Sequence, residues 1–438
     1  MKTQRVTFSN APAIAWSAVG AAGLFLGACS GEKAASTNEN PAPSAATANA
    51  KTTGGSPAHA SSIDPAAMEL GTHAGDPVVG NGENVPSTFA TAGSSSQGMA
   101  LDVMESLAQV TFAKQGSDFD PSLSRDGQTL VFASTQHRPT ADIYVKSVTG
   151  RTVTQLTADP AQDVMPTLSP DGQRVAFTSN RTGSWDIYVM SITGGQAVQV
   201  TSDPAQELHP SWSPDGTKLV FSRLGQVSGR WEMWVVDIDQ PMSSEFIGYG
   251  LFPSWCPAAG TGDNGRDKIV YQRSRERGDR AFSIWTVDYK AGDASMPTEV
   301  ANNPAAACIN PTWSPDGQWI VYASVPFTPE QLNPAGARPS VADLWMCGVD
   351  GAARVNLTTG RSVNLVPAWG SDARIYFVSD RGGIENIWSI GTDKAMLAAT
   401  GGRAYPSHVP AVETAAGKKA HETEPEVTTV PEESGEQH

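Results

Sequence analysis

Positive charge is scarce in this chain. Across 438 residues, 30 Lys and Arg stand against 45 Asp and Glu, a net charge of -15. Nucleic-acid binding needs a basic surface to displace phosphate counterions, so that class of partner is excluded. The apolar run from Ala11 to Leu26 is too short to span a bilayer comfortably. Catalytic signatures are missing as well: there is no Gly-x-Ser-x-Gly elbow and no His-Glu-x-x-His. Of seven histidines, four (His59, His73, His421 and His438) lie close to the chain ends. Cysteine is limited to four, and Cys256, Cys308 and Cys347 form an odd set once Cys29 is set aside. Cys256 follows the proline that opens its repeat and Cys308 precedes the next one, so the two should differ in depth and a bond between them is not expected.

The ends of the chain have compositions that cannot build a core. Lys2 and Arg5 precede the apolar run, which closes in Leu26-Gly27-Ala28-Cys29, the layout of an export signal. Those four residues resemble a bacterial lipobox, which implies cleavage after residue 28 and lipidation of Cys29. Ser30 rather than Asp follows, a sorting pattern that implies the outer membrane. Residues 29–98 are rich in Ala, Ser, Thr, Gly, Asn and Pro and nearly free of aromatics, the composition of a disordered tether. Residues 411–438 hold seven Glu and two Lys, and read as a disordered acidic tail.

Between these ends the chain repeats itself. Pro121, Pro166, Pro210, Pro253, Pro311 and Pro367 recur at spacings of 45, 44, 43, 58 and 56 residues. Two residues after each stands Leu123, Leu168, Trp212, Trp255, Trp313 or Trp369. A Ser-Pro-Asp-Gly turn follows at Ser169, Ser213 and Ser314, and Ser-Arg-Asp-Gly at Ser124. Each unit then shows an alternating apolar strand such as "VAFTS", a polar loop, an aromatic-bearing strand such as "DIYV", and a last strand ending near Leu-Thr. Period-two runs separated by Asp-Gly punctuation are strands joined by tight turns. A four-stranded meander of this length cannot cover both its faces alone, whereas copies packed radially bury one another. Six units of four strands predict an all-β, six-bladed propeller over residues 107–400. Two closures are open: Gln109–Thr111 or Met396–Thr400 could supply the last strand of blade six.

The order of Pro, Trp-Ser-Pro-Asp-Gly, apolar strand, Arg-bearing loop, Ile-Tyr strand and Leu-Thr resembles the TolB-like propeller repeat, most closely in blades two, three and six. The resemblance implies an exported envelope protein whose propeller binds other envelope proteins, of the peptidoglycan-associated or Tol type, without a cofactor. TolB proteins carry an α/β domain before the propeller, where this chain has its tether and the lipobox. The resemblance is specific for fold and much weaker for function, since similar propellers also cover serine peptidases.

Several residues are candidates for chemistry. Asp126, Asp171, Asp215 and Asp316 recur once per blade, so they read as turn residues rather than metal ligands, with Gly127, Gly172, Gly216 and Gly317 supplying positive φ. Gly260 to Gly265 spells a dinucleotide motif, but the strand Lys268 to Tyr271 follows it instead of a helix, so it reads as an enlarged turn. His209 precedes a blade-opening proline and should face the channel, where its counterparts are Asp120, Met165, Phe252, Asn310 and Val366. Arg181, Arg223, Arg273 and Arg381 recur at one aligned place and are expected to pair with acids such as Asp186. The arginines that depart from the repeat, Arg230, Arg275, Arg277, Arg280 and Arg338, are the candidate partner-binding residues together with His209, because binding concentrates where a repeat is broken. A cationic rim suits an acidic protein or an anionic glycan. The expectation is a lipid-anchored, non-catalytic scaffold; the alternatives are a polysaccharide lyase or hydrolase working in the channel, and a glycan-binding module marked by exposed aromatics.

Overall fold

The computed structural model describes residues 104, 106–274, 282–327 and 339–401. The export signal with Cys29, the tether, the acidic tail, and Arg275, Arg277, Arg280 and Arg338 lie outside the described residues. Six antiparallel sheets of four strands each follow one another along the chain, the architecture of a six-bladed propeller. Blade one runs Asp118–Leu123, Thr129–Ser134, Asp142–Ser147 and Val153–Gln155 from the axis outward. Blades three and four carry longer outermost strands, Gln240–Tyr249 and Asp293–Ala301.

The second strands show why the sheets must stack. In Arg174–Ser179, every residue from Val175 onward is buried, although successive side chains point to opposite faces of the sheet. Both faces are therefore covered by neighbouring blades, and Phe177, Phe221 and Phe377 sit fully buried at equivalent places. Indole N–H groups tie blade to blade: Trp212 Nε1 donates to Thr167 O at 3.0 Å, and Trp313 Nε1 to Ser254 O at 2.9 Å.

The repeated turns are closed by their own side chains. In blade two, Gln173 N donates to Asp171 Oδ1 at 3.0 Å, Arg174 N donates to Ser169 Oγ at 2.9 Å, and Gly172 takes φ +69°. Asp126, Asp215 and Asp316 accept the same backbone bond in their turns. The hydroxyl of Ser124 and the N–H of Gln128 hold the Asp126 carboxyl below the usual range. Gly317 shows what a side chain would meet there: at φ +70°, a Cβ would lie 2.5 Å from Cys256 Sγ.

The ring closes through its N-terminal strand. Ala108 and Gln109 pair with Ser389 and Trp388, giving blade six its outermost strand. Asn386 Oδ1 accepts from Ala113 N at 2.7 Å, and Arg374 Nη2 donates to Ser106 O at 2.7 Å. The competing segment, Met396–Thr400, falls in the helix Asp393–Ala399 and its C-cap, which contacts the outermost strand of blade five, Val355–Asn356. Cys256, Cys308 and Cys347 are buried in one apolar cluster and form no disulfide among the described residues, and burial pushes the Cys347 thiol up to about 12. The Gly260–Gly265 segment is a turn containing the short 3-10 helix Asp263–Gly265, and it leads into the strand Asp267–Ser274. Among the described residues, no helix is long and apolar enough to cross a membrane.

Candidate functional site

Two regions gather chemistry that the repeat itself does not require: the central channel and one sector of the rim. Each first strand is bulged where it lines the channel, and these six bulges form a ring, the neck. Pairing between first and second strands slips at the same point in every blade, between Phe119 and Ser122 in blade one and between Leu208 and Ser211 in blade three, for example. The residue at the slip adopts positive φ in all six: Asp120 +52°, Met165 +54°, His209 +57°, Phe252 +50°, Asn310 +52° and Val366 +49°. A bulge leaves a residue outside the ladder and re-aims its side chain. These six all line the central cavity, and polar and apolar side chains alternate around the neck.

Burial sets the charge state of the neck. Loss of solvent pushes Asp120 up to about 7, with the nearby Glu385 adding to the shift and the Met165 N–H, donating to Oδ2 at 3.1 Å, opposing it. His209 is buried against Phe252, ring centroids 3.6 Å apart, and desolvation pulls it down to about 3. It stays neutral at physiological pH and lies inside the neck rather than on the rim. Among the described residues, no three His, Cys, Asp or Glu side chains group as a metal site.

At the opposite end of the cavity, the repeated turns line its mouth. Here Arg125 occupies the place held by a proline in other blades. Its Nη2 donates to Pro214 O at 3.0 Å and Pro257 O at 2.8 Å, so a side chain of blade one reaches the turns of blades three and four. The one signal for this residue in the sequence is an arginine where four other blades have proline, Pro170, Pro214, Pro257 and Pro315.

The aligned rim arginines pair differently from expectation. Arg181 Nη2 meets Asp163 at 2.9 Å rather than Asp186, whose carboxylate instead takes the hydroxyls of Thr182 at 2.6 Å and Ser184 at 3.0 Å. Asp163 opens the innermost strand of the same blade and lies in register with Ser179, two residues from Arg181. The guanidinium therefore turns inward across the Tyr188 ring, 4.6 Å from its centroid. Arg223 binds Glu207 through Nε at 2.8 Å and stacks on Trp234 at 4.3 Å. Arg381 donates to Asn364 Oδ1 at 2.6 Å and lies 5.2 Å from the Trp388 ring. Asp163, Glu207 and Asn364 each stand three residues before a blade-opening proline. In blade four that position is Gly250, and Arg273 lies over Trp285 at 5.3 Å. Blade one does show the expected direction, with Arg138 3.9 Å from Asp142.

Arg230 differs from this set. Its guanidinium lies 4.1 Å over the exposed ring of Tyr249, which packs edge-on at 5.3 Å against Phe246, itself 5.7 Å from Trp234. This makes a cationic and aromatic platform on the outer strand of blade three. Phe246 and Tyr249 carried no sequence signal, because their strand is longer than the repeat and matches no other copy.

A family model described as the TolB beta propeller domain matches residues 88–259. The fold is a six-bladed propeller, and over residues 88–259 the chain is similar to that family. Solved structures similar to it include putative TolB from Agrobacterium tumefaciens, 20% identical over 65% of this chain and 96% of that one, with a TM-score of 0.47. TolB from Acinetobacter baumannii is 19% identical, with a TM-score of 0.45, over 58% of this chain and 57% of its own. An oligogalacturonate lyase from Vibrio parahaemolyticus is 16% identical, with a TM-score of 0.44, over 65% of this chain and 93% of its own. A shared fold does not fix a function, so these likenesses assign none.

Proposed function

We propose that this TolB-like propeller is a non-catalytic scaffold of the cell envelope, anchored through lipid on Cys29, whose rim binds an acidic envelope protein. The observation that carries this reading is the contrast among the rim arginines. Arg181 and Arg223 neutralise buried acids, and Arg381 is held by Asn364; all three serve the blades. Arg230 instead lies on exposed Tyr249, beside Phe246. Arginine with aromatic rings is the composition of interface hot spots. The next blade adds Arg275, Arg277 and Arg280 in the chain between its second and third strands. A rim of this charge on a protein of net charge -15 favours an acidic patch on the partner.

The exposed rings of Phe246 and Tyr249 also favour a second reading, a glycan-binding module in which sugar faces stack on the platform. Cross-linked capture of the tagged, lipidated protein from native membranes separates the two. A protein enriched by the parent, lost with Arg230→Ala/Tyr249→Ala or with Arg275, Arg277 and Arg280 changed to Ala, supports the scaffold. If no protein is captured while the parent binds a glycan array through Tyr249, the scaffold reading is wrong.

A further inference from the structure

The cavity on the turn side of the neck has a composition of its own. It encloses about 1110 Å³, in the range of pockets that hold organic ligands. The blade-opening prolines line it, together with Trp212, Trp255, Trp313 and Trp369. Its inner end is the neck, where Asn310 is 5% exposed and its Oδ1 has no hydrogen-bond partner among the described residues. A buried acceptor of this kind is destabilising unless something donates to it. Its outer end is crossed by Arg125.

Arg125 is the unusual element. It makes no ion pair among the described residues, and both its hydrogen bonds come from one nitrogen, Nη2, to neutral carbonyls. The carboxylates nearest in sequence and in the adjoining turns are already engaged: Asp126 takes Gln128 N, and Asp171 takes Gln173 N, each with the serine hydroxyl of its own turn. Nη1 and Nε are left to a ligand. Both forked edges of a guanidinium use Nη2, so a carboxylate here would accept one charge-assisted bond from Nη1 or Nε, roughly twice as strong as a bond to a neutral acceptor.

We propose that the turn-side cavity is a second binding site, distinct from the rim, for a small organic acid: its carboxylate pairs with Arg125 at the mouth, its apolar body lies against the proline-lined wall, and a hydroxyl at its far end donates to Asn310. The proline that other blades carry at this turn would leave the mouth uncharged, so Arg125 makes the cavity selective for an anion.

Titration calorimetry on the full chain, with 4-hydroxyphenylacetate, indole-3-acetate and octanoate as probes, tests the site, and quenching of tryptophan emission reports occupancy. At least one acid should bind saturably at one site per chain, and the uncharged 4-hydroxyphenylacetamide should bind about tenfold more weakly than its acid. Arg125→Pro, the spelling of the other turns, should lose about tenfold in affinity at unchanged melting temperature. Arg125→Gln, which keeps donors for the two carbonyls, controls for a disturbed mouth and should lose the same. Arg230→Ala should bind the probes as the parent does, which separates this site from the rim. Absence of saturable binding by all three acids, equal affinity for acid and amide, or unchanged affinity in both Arg125 variants would overturn the proposal.

Discussion

Replacing Asp120 with Asn should stabilise the protein, increasingly as pH rises from about 4 to about 7. The carboxyl is 8% exposed and burial raises it from 3.8 to about 7. In the unfolded chain the group ionises near the ordinary carboxylate value. Between that value and about pH 7, folding must therefore take up a proton, and above it folding must bury a charge. The penalty is absent in acid, grows as pH rises through this window, and is constant beyond it. About three pKa units at 1.36 kcal/mol each set it on the order of 4 kcal/mol. Asn keeps an acceptor for the Met165 N–H, so the change removes the charge and little else. At about 2–4 °C per kcal/mol, the melting temperature of Asp120→Asn should exceed the parent's by roughly 10 °C at pH 8. At about pH 4 the two should nearly coincide, because the parent's Asp120 is then protonated when folded. Scanning calorimetry of both proteins from acid to alkaline pH reads the difference directly. A difference that is constant with pH, or that shrinks as pH rises, would refute the argument from burial.

Arg181→Ala should cost about 3–5 kcal/mol in urea denaturation, because it strands the fully buried Asp163 carboxylate; the same change at exposed Arg138 should cost under about 1 kcal/mol, and equal costs would contradict the inward pairing. Asn386→Ala removes the acceptor for Ala113 N at the ring closure and should cost about 1–3 kcal/mol. Hydrogen exchange should then rise first at Val110 and Thr111, which bond to Ile387 O, and protection unchanged there would count against closure by the N-terminal strand.

The features legible in sequence are those that every blade needs. A proline, an aromatic two residues on, and an Asp-Gly turn recur because each blade solves the same packing problem, so six copies identify the fold even at spacings stretched to 58 residues. The ring closure was open because "QVT" at 109–111 and the segment 396–400 were both plausible last strands. What decides it is a contact 273 residues apart in the chain, Ala113 N to Asn386 Oδ1. The arginine pairings were misjudged for a related reason. Arg181 is close in sequence to Asp186, but the strand register brings Asp163 beside it, and register is a property of paired strands rather than of spacing. His209 was placed in the channel by its position before Pro210; its neutrality follows from packing against Phe252, for which the sequence holds no sign.

An axis of six equivalent positions also constrains what a repeat protein can do there. Six copies of Asp120 around one neck would place like charges together in a low-dielectric channel, each raising the cost of the next. Six copies of Phe252 would fill the neck without recognising anything. The chain instead alternates Asp120, Met165, His209, Phe252, Asn310 and Val366, so each polar side chain has apolar neighbours on both sides and only one carboxylate is buried in the ring. Arg125 follows the same logic at the mouth: one arginine can cross to Pro214 and Pro257, whereas an arginine in every turn would compete for the same carbonyls and repel its copies. Specific recognition along a symmetric axis therefore has to come from single departures, and consensus substitution should separate the two layers. Restoring the repeat's residue at Arg125 should leave the fold intact and remove recognition, while substituting Pro121 or Trp212 should damage the fold itself.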